Sequence, residues 1–218
     1  MRIPIHREGW LFIALFVAAN IALYWLSPWL GAAFVPLTLW CIAFFRDPER
    51  TPPAGEHRLV SPADGVLLPI MEAAPPPELE MGSGMRPRLS IFMNVFDVHV
   101  NRMPVSGEVI ALDYKPGRFI NASFDKASVY NERMSVRVRP AGRRDVEDDF
   151  AIVQIAGLIA RRIVCDLKVG ERVGRGARFG MIRFGSRLDV YLPLSARIVI
   201  KEGSVTRAGE TVLAELQG

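Results

Sequence analysis

Between Gly9 and Phe45 the chain reads GWLFIALFVAANIALYWLSPWLGAAFVPLTLWCIAFF, and no charged side chain interrupts it between Glu8 and Arg46. A single helix through this stretch would run to about 55 Å at ~1.5 Å per residue, well beyond a hydrocarbon core of ~30 Å. The stretch is therefore expected to fold back at Ser27-Pro28, giving two apolar helices at roughly residues 10–26 and 29–45. Each falls at the short end of the ~17 to 25 residues that span a bilayer, so a tight spanning hairpin and a re-entrant, interface-seated pair both fit. Arg2 and Arg7 precede the hairpin and Arg46 and Arg50 follow it, which places both ends in the cytoplasm by the positive-inside bias. Trp10, Trp25, Trp29 and Trp40 suit interfacial positions. A cleaved signal peptide fits less well, because the run is too long and no small-residue cleavage pattern closes it. A buried pair in a soluble protein fits less well too, because soluble helices seldom lack a polar face.

Outward from the hairpin the character changes. Arg46–Glu56, RDPERTPPAGE, is a Pro-rich charged connector, so the chain divides into an anchor over residues 1–50 and a domain over 51–218. β-branched runs at Arg88–Asn94, Val105–Tyr114, Met134–Val138, Phe150–Ile155, Arg161–Cys165, Arg187–Leu192 and Arg197–Ile200 are separated by Gly and Pro turns. That pattern predicts a mainly β fold, a sandwich or barrel-like domain preceded by the helical hairpin, with no long amphipathic helix after Phe45. Ala73–Met85, AAPPPELEMGSGM, reads as an exposed loop and Gly142–Asp149, GRRDVEDD, as a charged hairpin or disordered tip. A weak repeat places Gly170 and Gly176, then Gly203 and Gly209, at the same spacing. Such steps resemble turns of lipoyl- and biotinyl-type sandwiches, although two ordinary Gly turns would give the same spacing.

The 218 residues are 50% hydrophobic and 23% charged, and 27 Lys and Arg against 23 Asp and Glu give a net charge of +4. Dominant disorder is excluded, and the basic bias is too mild for a dedicated nucleic-acid binder but compatible with anionic phospholipid. Cys41 and Cys165 are too few and too far apart for a disulfide framework or a zinc cluster, so no metal is expected. His6, His57 and His99 are the only candidate imidazoles. Neither Ser186 nor Ser83 lies in a G-x-S-x-G elbow, and no P-loop, dinucleotide fingerprint or H-E-x-x-H is present. Gly185-Ser186, between two strand-like runs, suits backbone self-cleavage. The hydroxyl attacks the preceding carbonyl, where Gly offers little steric resistance. β-Elimination from the resulting ester then leads to a pyruvoyl group on the new N-terminus.

Four further segments join the one that holds that dipeptide, Ile182 to Arg187, IRFGSR: Ser61-Pro62-Ala63-Asp64-Gly65; Ile91 to Pro104, IFMNVFDVHVNRMP; Asn131-Glu132-Arg133; and Ile155-Ala156-Gly157 with Ala160 to Ile163, all of them preceding it. Together, and in this order, they resemble the phosphatidylserine decarboxylase family in its short, membrane-anchored form. The resemblance covers almost the whole chain. It implies a proenzyme that cleaves itself between Gly185 and Ser186 into large and small chains that stay together, with pyruvate as the cofactor, formed covalently from Ser186. It also implies decarboxylation of phosphatidylserine to phosphatidylethanolamine at the cell inner membrane, with the catalytic domain on the cytoplasmic side; an oligomer is possible and no nucleic-acid partner is expected.

By the same resemblance His99 is the acid/base for self-cleavage and reprotonation, and Asp64 orients or polarises it. Where long-form members carry a second His three residues after the first, this chain has Arg102, which leaves open whether His99 serves both steps. Arg102, Arg118, Arg133, Arg183 and Arg187 are candidates for the substrate phosphate, since guanidinium suits bidentate phosphate contacts. Two rival readings remain: a membrane-tethered barrel-sandwich carrier or adaptor without catalysis, and a serine hydrolase with Ser186 as a free nucleophile.

Overall fold

The computed structural model describes residues 4–117, 131–157, 162–183 and 185–217. They form two compact units. The first holds the described residues through Glu49 together with Phe96–Val98, and the second holds the remainder.

In the first unit the apolar stretch folds as α1 (Trp10–Leu26) and α2 (Pro28–Phe44), within a residue of the expected bounds. Ser27 is fully extended between them, and Pro28 opens α2 where a missing N–H costs nothing. Seventeen residues make each helix about 25 Å long. With the turn that precedes α1, Arg7–Leu26 is long and apolar enough to cross a membrane; Pro28–Phe44 is shorter. The helices meet through small and polar residues. A Cβ on Gly31 would lie 2.7 Å from the Tyr24 Cα, so only glycine permits this approach. Asn20 Nδ2 donates to the Gly31 carbonyl at 3.1 Å, the kind of interhelical bond that membrane helices use. Phe16 stacks on Phe34 and Phe12 on Phe45. The base is closed by main-chain bonds, His6 N to Phe45 O and Asp47 N to Pro4 O. Trp25 and Trp29, at the tip, are almost fully exposed.

The second unit is mainly β, and its strands pair antiparallel throughout. One sheet follows the order β10 (Arg172–Val173), β6 (Gly107–Lys115), β7 (Arg133–Pro140), β8 (Phe150–Ala156), β12 (Ser186–Tyr191), β4 (Arg86–Met93), β2 (Gly65–Leu67) and β14 (Val205–Thr206), with β3 (Met71–Ala73) also on β4. Two three-stranded sheets complete the unit. One is β1 (Arg58–Val60), β15 (Val212–Leu216) and β13 (Ala196–Ile198); the other is β5 (Val100–Arg102), β11 (Arg178–Ile182) and β9 (Ile163–Cys165). Alternation sets the core: Leu89, Ile91 and Met93 of β4, Leu188 and Val190 of β12, Ile152 of β8, and Val136 and Val138 of β7 share one cluster with Leu59, Leu67, Val105 and Leu213.

The opposite face departs from the sequence expectation. Arg133, Ser135, Arg137 and Arg139 alternate along β7 and would ordinarily mark a solvent face, yet two loops cover them. The segment read as an exposed loop contains a 3-10 turn at Pro77–Leu79, with Leu79 and Met81 buried. Glu78 Oε1 accepts from Arg133 Nη2 at 2.7 Å and from Ser135 Oγ at 3.1 Å. Burial alone would raise the Glu78 carboxyl, but a main-chain hydrogen bond and Arg133 together hold it below its ordinary value. The segment read as a charged tip carries Asp149, fully buried, accepting from Arg137 Nε and Arg139 Nε at 2.8 Å each. Carboxylates delivered by the loops neutralise the arginines, so a polar strand face becomes an interior one.

The glycine repeat extends into a two-fold relation. Gly170, Gly176, Gly203 and Gly209 all have φ between +76° and +83°, a region that suits glycine. Gly209 N donates to Ser61 O, as Gly176 N does to Met103 O. Ser61-Pro62-Ala63-Asp64-Gly65, entering β2, and Met103-Pro104-Val105-Ser106-Gly107, entering β6, are thus counterparts. They also exchange bonds crosswise, Val60 N to Pro104 O and Arg102 N to Pro62 O, both at 2.9 Å. Ala208 N reaches Asp64 Oδ1 at 2.7 Å in one half, and Arg175 N reaches Ser106 Oγ at 3.1 Å in the other.

Candidate active site

Ser186 is the first residue of β12, a strand bonded on both sides, with Met93 of β4 and Ala156 of β8 as its cross-strand neighbours. It is fully buried, and its Oγ donates to Met93 Sδ at 3.4 Å. Gly185, immediately before it, has φ +67°, in the left-handed region. The nearest atom to a Cβ built there is 4.0 Å away, so conformation rather than space favours glycine.

His99 reaches this peptide from the residue immediately before β5. Its ring is fully buried, and Nε2 accepts the Gly185 N–H at 3.4 Å. In a neutral imidazole that acceptor role puts the proton on Nδ1 and directs the single Nε2 lone pair at the Gly185 N–H, next to the Gly185-Ser186 bond. The Arg102 N–H bond to Pro62 O then joins the end of β5 to the turn that carries Asp64.

Asp64 is nearly buried. Its Oδ1 accepts from Ala208 N and its Oδ2 from Arg50 Nη2 at 3.0 Å, while Arg50 Nη1 reaches Glu210 Oε2 at 3.0 Å. Arg50 is a functional candidate that the sequence reading assigned to the connector. Gln154 was missed as well. It lies buried on β8, its Nε2 donating to Asn101 Oδ1 at 2.8 Å, and its Oε1 has no hydrogen-bond partner among the described residues. Asn101 Nδ2 in turn points to Met93 Sδ at 3.9 Å, so this amide pair joins the sulfur that contacts Ser186. The only sequence signal was a lone polar residue inside the apolar run Phe150–Ala156, FAIVQIA.

The arginines separate. Arg187 is buried and forks onto Asp189, Nε to Oδ1 at 2.8 Å and Nη2 to Oδ2 at 2.9 Å. Burial, with the Asp189 charge behind it, pushes the neighbouring Tyr191 phenol up. Arg133 is bound to Glu78. Arg102 donates from Nη1 to Gly176 O at 2.9 Å, and its stem crosses Gly209 where a Cβ would come within 3.1 Å. Arg183 is half-buried, three residues before Ser186, with its N–H directed to Arg162 O. Arg118, Ala160, Arg161 and Phe184 lie outside the described residues.

The family model for phosphatidylserine decarboxylase matches residues 37–214, a span that contains Asp64, His99, Gly185 and Ser186. The chain belongs to the phosphatidylserine decarboxylase family. Similarity to curated members extends over nearly the whole sequence. A phosphatidylserine decarboxylase proenzyme of Paramagnetospirillum magneticum is 53% identical over 213 residues, covering 98% of this chain and 87% of that protein. One of Cereibacter sphaeroides is 53% identical over 213 residues, covering 98% and 90%. One of Rickettsia africae is 50% identical over 211 residues, covering 97% and 90%. The alignments reach far enough toward the N-terminus to include most of the hairpin as well as the β unit.

Proposed function

We propose that the chain is a proenzyme that cleaves itself between Gly185 and Ser186 and then decarboxylates phosphatidylserine to phosphatidylethanolamine and carbon dioxide. The observation that carries this reading is the basic Nε2 of His99 against the Gly185 N–H, at a glycine in the left-handed region that introduces a buried serine.

In the cleavage proposed here, Ser186 Oγ adds to the Gly185 carbonyl carbon as His99 Nε2 takes the hydroxyl proton. The C–N bond breaks, the 186 nitrogen receives a proton, and an ester remains. Loss of the Ser186 α-proton expels Gly185 as a carboxylate and leaves dehydroalanine. Tautomerisation and hydrolysis release ammonia and leave a pyruvoyl group. Ser186 can supply it from its own atoms, without a separate binding site. Once formed, the group offers a carbonyl to the substrate amine and a sink for the electrons left behind by carbon dioxide.

The other residues hold and move protons or charge. His99 returns a proton to the former α-carbon. Asp64, fixed by Arg50 and Ala208 N, orients the acid/base side of the site. The phosphate role is not proposed for Arg133 or Arg187, whose guanidiniums are committed to Glu78 and Asp189. The hairpin is proposed to hold the enzyme at the cell membrane with its catalytic domain on the cytoplasmic side, so that acyl chains remain in the bilayer during turnover.

Denaturing electrophoresis with intact mass tests the reading. Cleavage of the 218 residues after 185 gives chains of 185 and 218 − 185 = 33 residues, the smaller one blocked to Edman sequencing and reducible by borohydride. A fully active, uncleaved chain would overturn it. An inactive intact chain would favour the carrier, and an intact chain labelled by a fluorophosphonate at Ser186 would favour the hydrolase.

A further inference from the structure

Three residues before His99 the chain turns at Val95–Phe96, and the Phe96 side chain is 71% exposed. One exposed Phe is ordinary on a protein surface. The setting of this one is not, because Phe96–Val98 belongs with the hairpin unit although the residues on both sides of it belong to the β unit. Arg46, the first charge after the apolar stretch, makes the connection. Its Nη1 donates to Ala43 O in the last turn of α2 and its Nη2 donates to Phe96 O, both at 2.7 Å. A single guanidinium thus ties the end of an apolar helix to the backbone that carries the exposed ring. That helical pair is itself bare: α1 buries none of its residues, and Trp10, Leu11, Trp25, Leu26 and Trp29 are all largely exposed.

We infer that the Phe96 turn is a second membrane contact whose partner is the lipid bilayer, with the ring at the boundary between head groups and acyl chains and Arg46 at head-group level. Lipid is the occupant because Arg46 joins the backbone of the exposed ring to the bare hairpin; the charges beside the ring are mixed, Asp97 following it directly and Arg46 binding its carbonyl, so apolar continuity rather than net charge selects the partner. The consequence for the reaction follows from reach. Three residues extend at most about 11 Å between Cα atoms, so a ring held at the interface keeps the His99 backbone within about 11 Å of the backbone that carries it. This inference rests on the membrane reading of the hairpin.

The test places a nitroxide at residue 96 of the full chain (Phe96→Cys with Cys41→Ala and Cys165→Ala). Parallel labels go at Leu26 on the hairpin and Val205 on the β unit. The protein is reconstituted in phosphatidylcholine and phosphatidylglycerol vesicles, and collision with oxygen is compared with collision with a water-soluble nickel chelate. Labels 96 and 26 are expected to favour oxygen and label 205 the chelate. If label 26 favours oxygen while label 96 behaves like 205, the inference fails and the hairpin reading stands. If labels 26 and 96 both favour the chelate, the membrane reading fails and takes the inference with it. With the native cysteines kept, Phe96→Asp is expected to lower the ratio of turnover on vesicles to turnover on monomeric short-chain phosphatidylserine about tenfold, and Phe96→Leu by less than twofold. Equal ratios for Phe96→Asp and wild type would overturn the inference.

Discussion

Removing the charge from Asp189 tests how the site's surroundings are held. The Arg187–Asp189 pair sits on β12 with side chains only 2% and 0% exposed and two hydrogen bonds of 2.8 and 2.9 Å. In Asp189→Asn the carboxylate that Arg187 forks onto becomes a neutral amide, while the guanidinium stays in an interior that solvates it poorly. Breaking a buried pair from one side costs about 3 to 5 kcal/mol, a large part of the ~5 to 15 kcal/mol that a domain has in total. The same molecule supplies a control. Arg172 and Glu108 are 3.9 Å apart with 89% and 46% exposure, so Glu108→Gln should cost about 1 kcal/mol or less. Both changes are best placed in a Ser186→Ala chain, which should not cleave and so unfolds as one polypeptide. Urea unfolding in non-ionic detergent should be followed by far-UV circular dichroism, because all four tryptophans lie in the hairpin and would not report on the sheets. If Asp189→Asn costs no more than Glu108→Gln, the pair is not a buried structural one, and Arg187 returns as a candidate for the substrate phosphate.

Ser186→Ala should remain one chain on a denaturing gel and show no decarboxylation in a carbon dioxide release assay. His99→Ala should slow cleavage at least 100-fold in a pulse-chase, as expected for loss of a general base; normal maturation would show that another group takes the Oγ proton. Arg50→Ala should slow maturation about tenfold and Arg50→Lys less, read by the same pulse-chase, because lysine restores one of the two ion pairs. Glu78→Gln should destabilise the chain by about 1 to 3 kcal/mol at pH 7 in urea unfolding. Because the folded Glu78 carboxyl titrates below its ordinary value of about 4.5, its contribution is complete above that value and is lost as pH falls through the lower folded one. The gap between wild type and Glu78→Gln should therefore close below pH 4.5.

The hairpin was legible because the absence of charge over Gly9–Phe45 admits few folds and Ser27-Pro28 supplies a break near its middle, while Pro36 stays inside α2. The strands of the β unit were legible for a related reason: runs such as Phe150–Ala156 have the β-branched content and Gly and Pro boundaries of short strands. The covered face of β7 was not, since Arg-x-Ser-x-Arg-x-Arg alternation looks the same whether water or loop carboxylates meet it. Glu78 and Asp149, which decide the matter, lie 55 and 10 residues from their arginines. His99 and Ser186 stood out through resemblance, and their apposition depends on β5 and β12, whose contact no local pattern encodes. Arg50 was hidden for the opposite reason, because a charged Pro-rich segment between an anchor and a domain ordinarily has no tertiary role. The glycine repeat was visible only in part. Ser61–Gly65 and Met103–Gly107 share just the proline and the glycine, too little to align without the bonds that Gly209 and Gly176 make to them.

The placement of β12 has a bearing on the lifetime of the enzyme. The proposed cut before Ser186 would leave a small chain whose strands are spread through the fold: β12 between β4 and β8, β14 on β2, and β15 on β1. Such a cut would sever the polypeptide while those pairings still held it, yet it would remove the link that brought a central strand into register while the sheet was forming. A matured enzyme that unfolded would face a bimolecular search that its precursor never met, with the serine that defined the join consumed. Its persistence would then be governed by the barrier to unfolding rather than by an equilibrium with an unfolded state. Under that proposal folding is a single-use event, and the buried pairs around β12 would work chiefly by slowing escape.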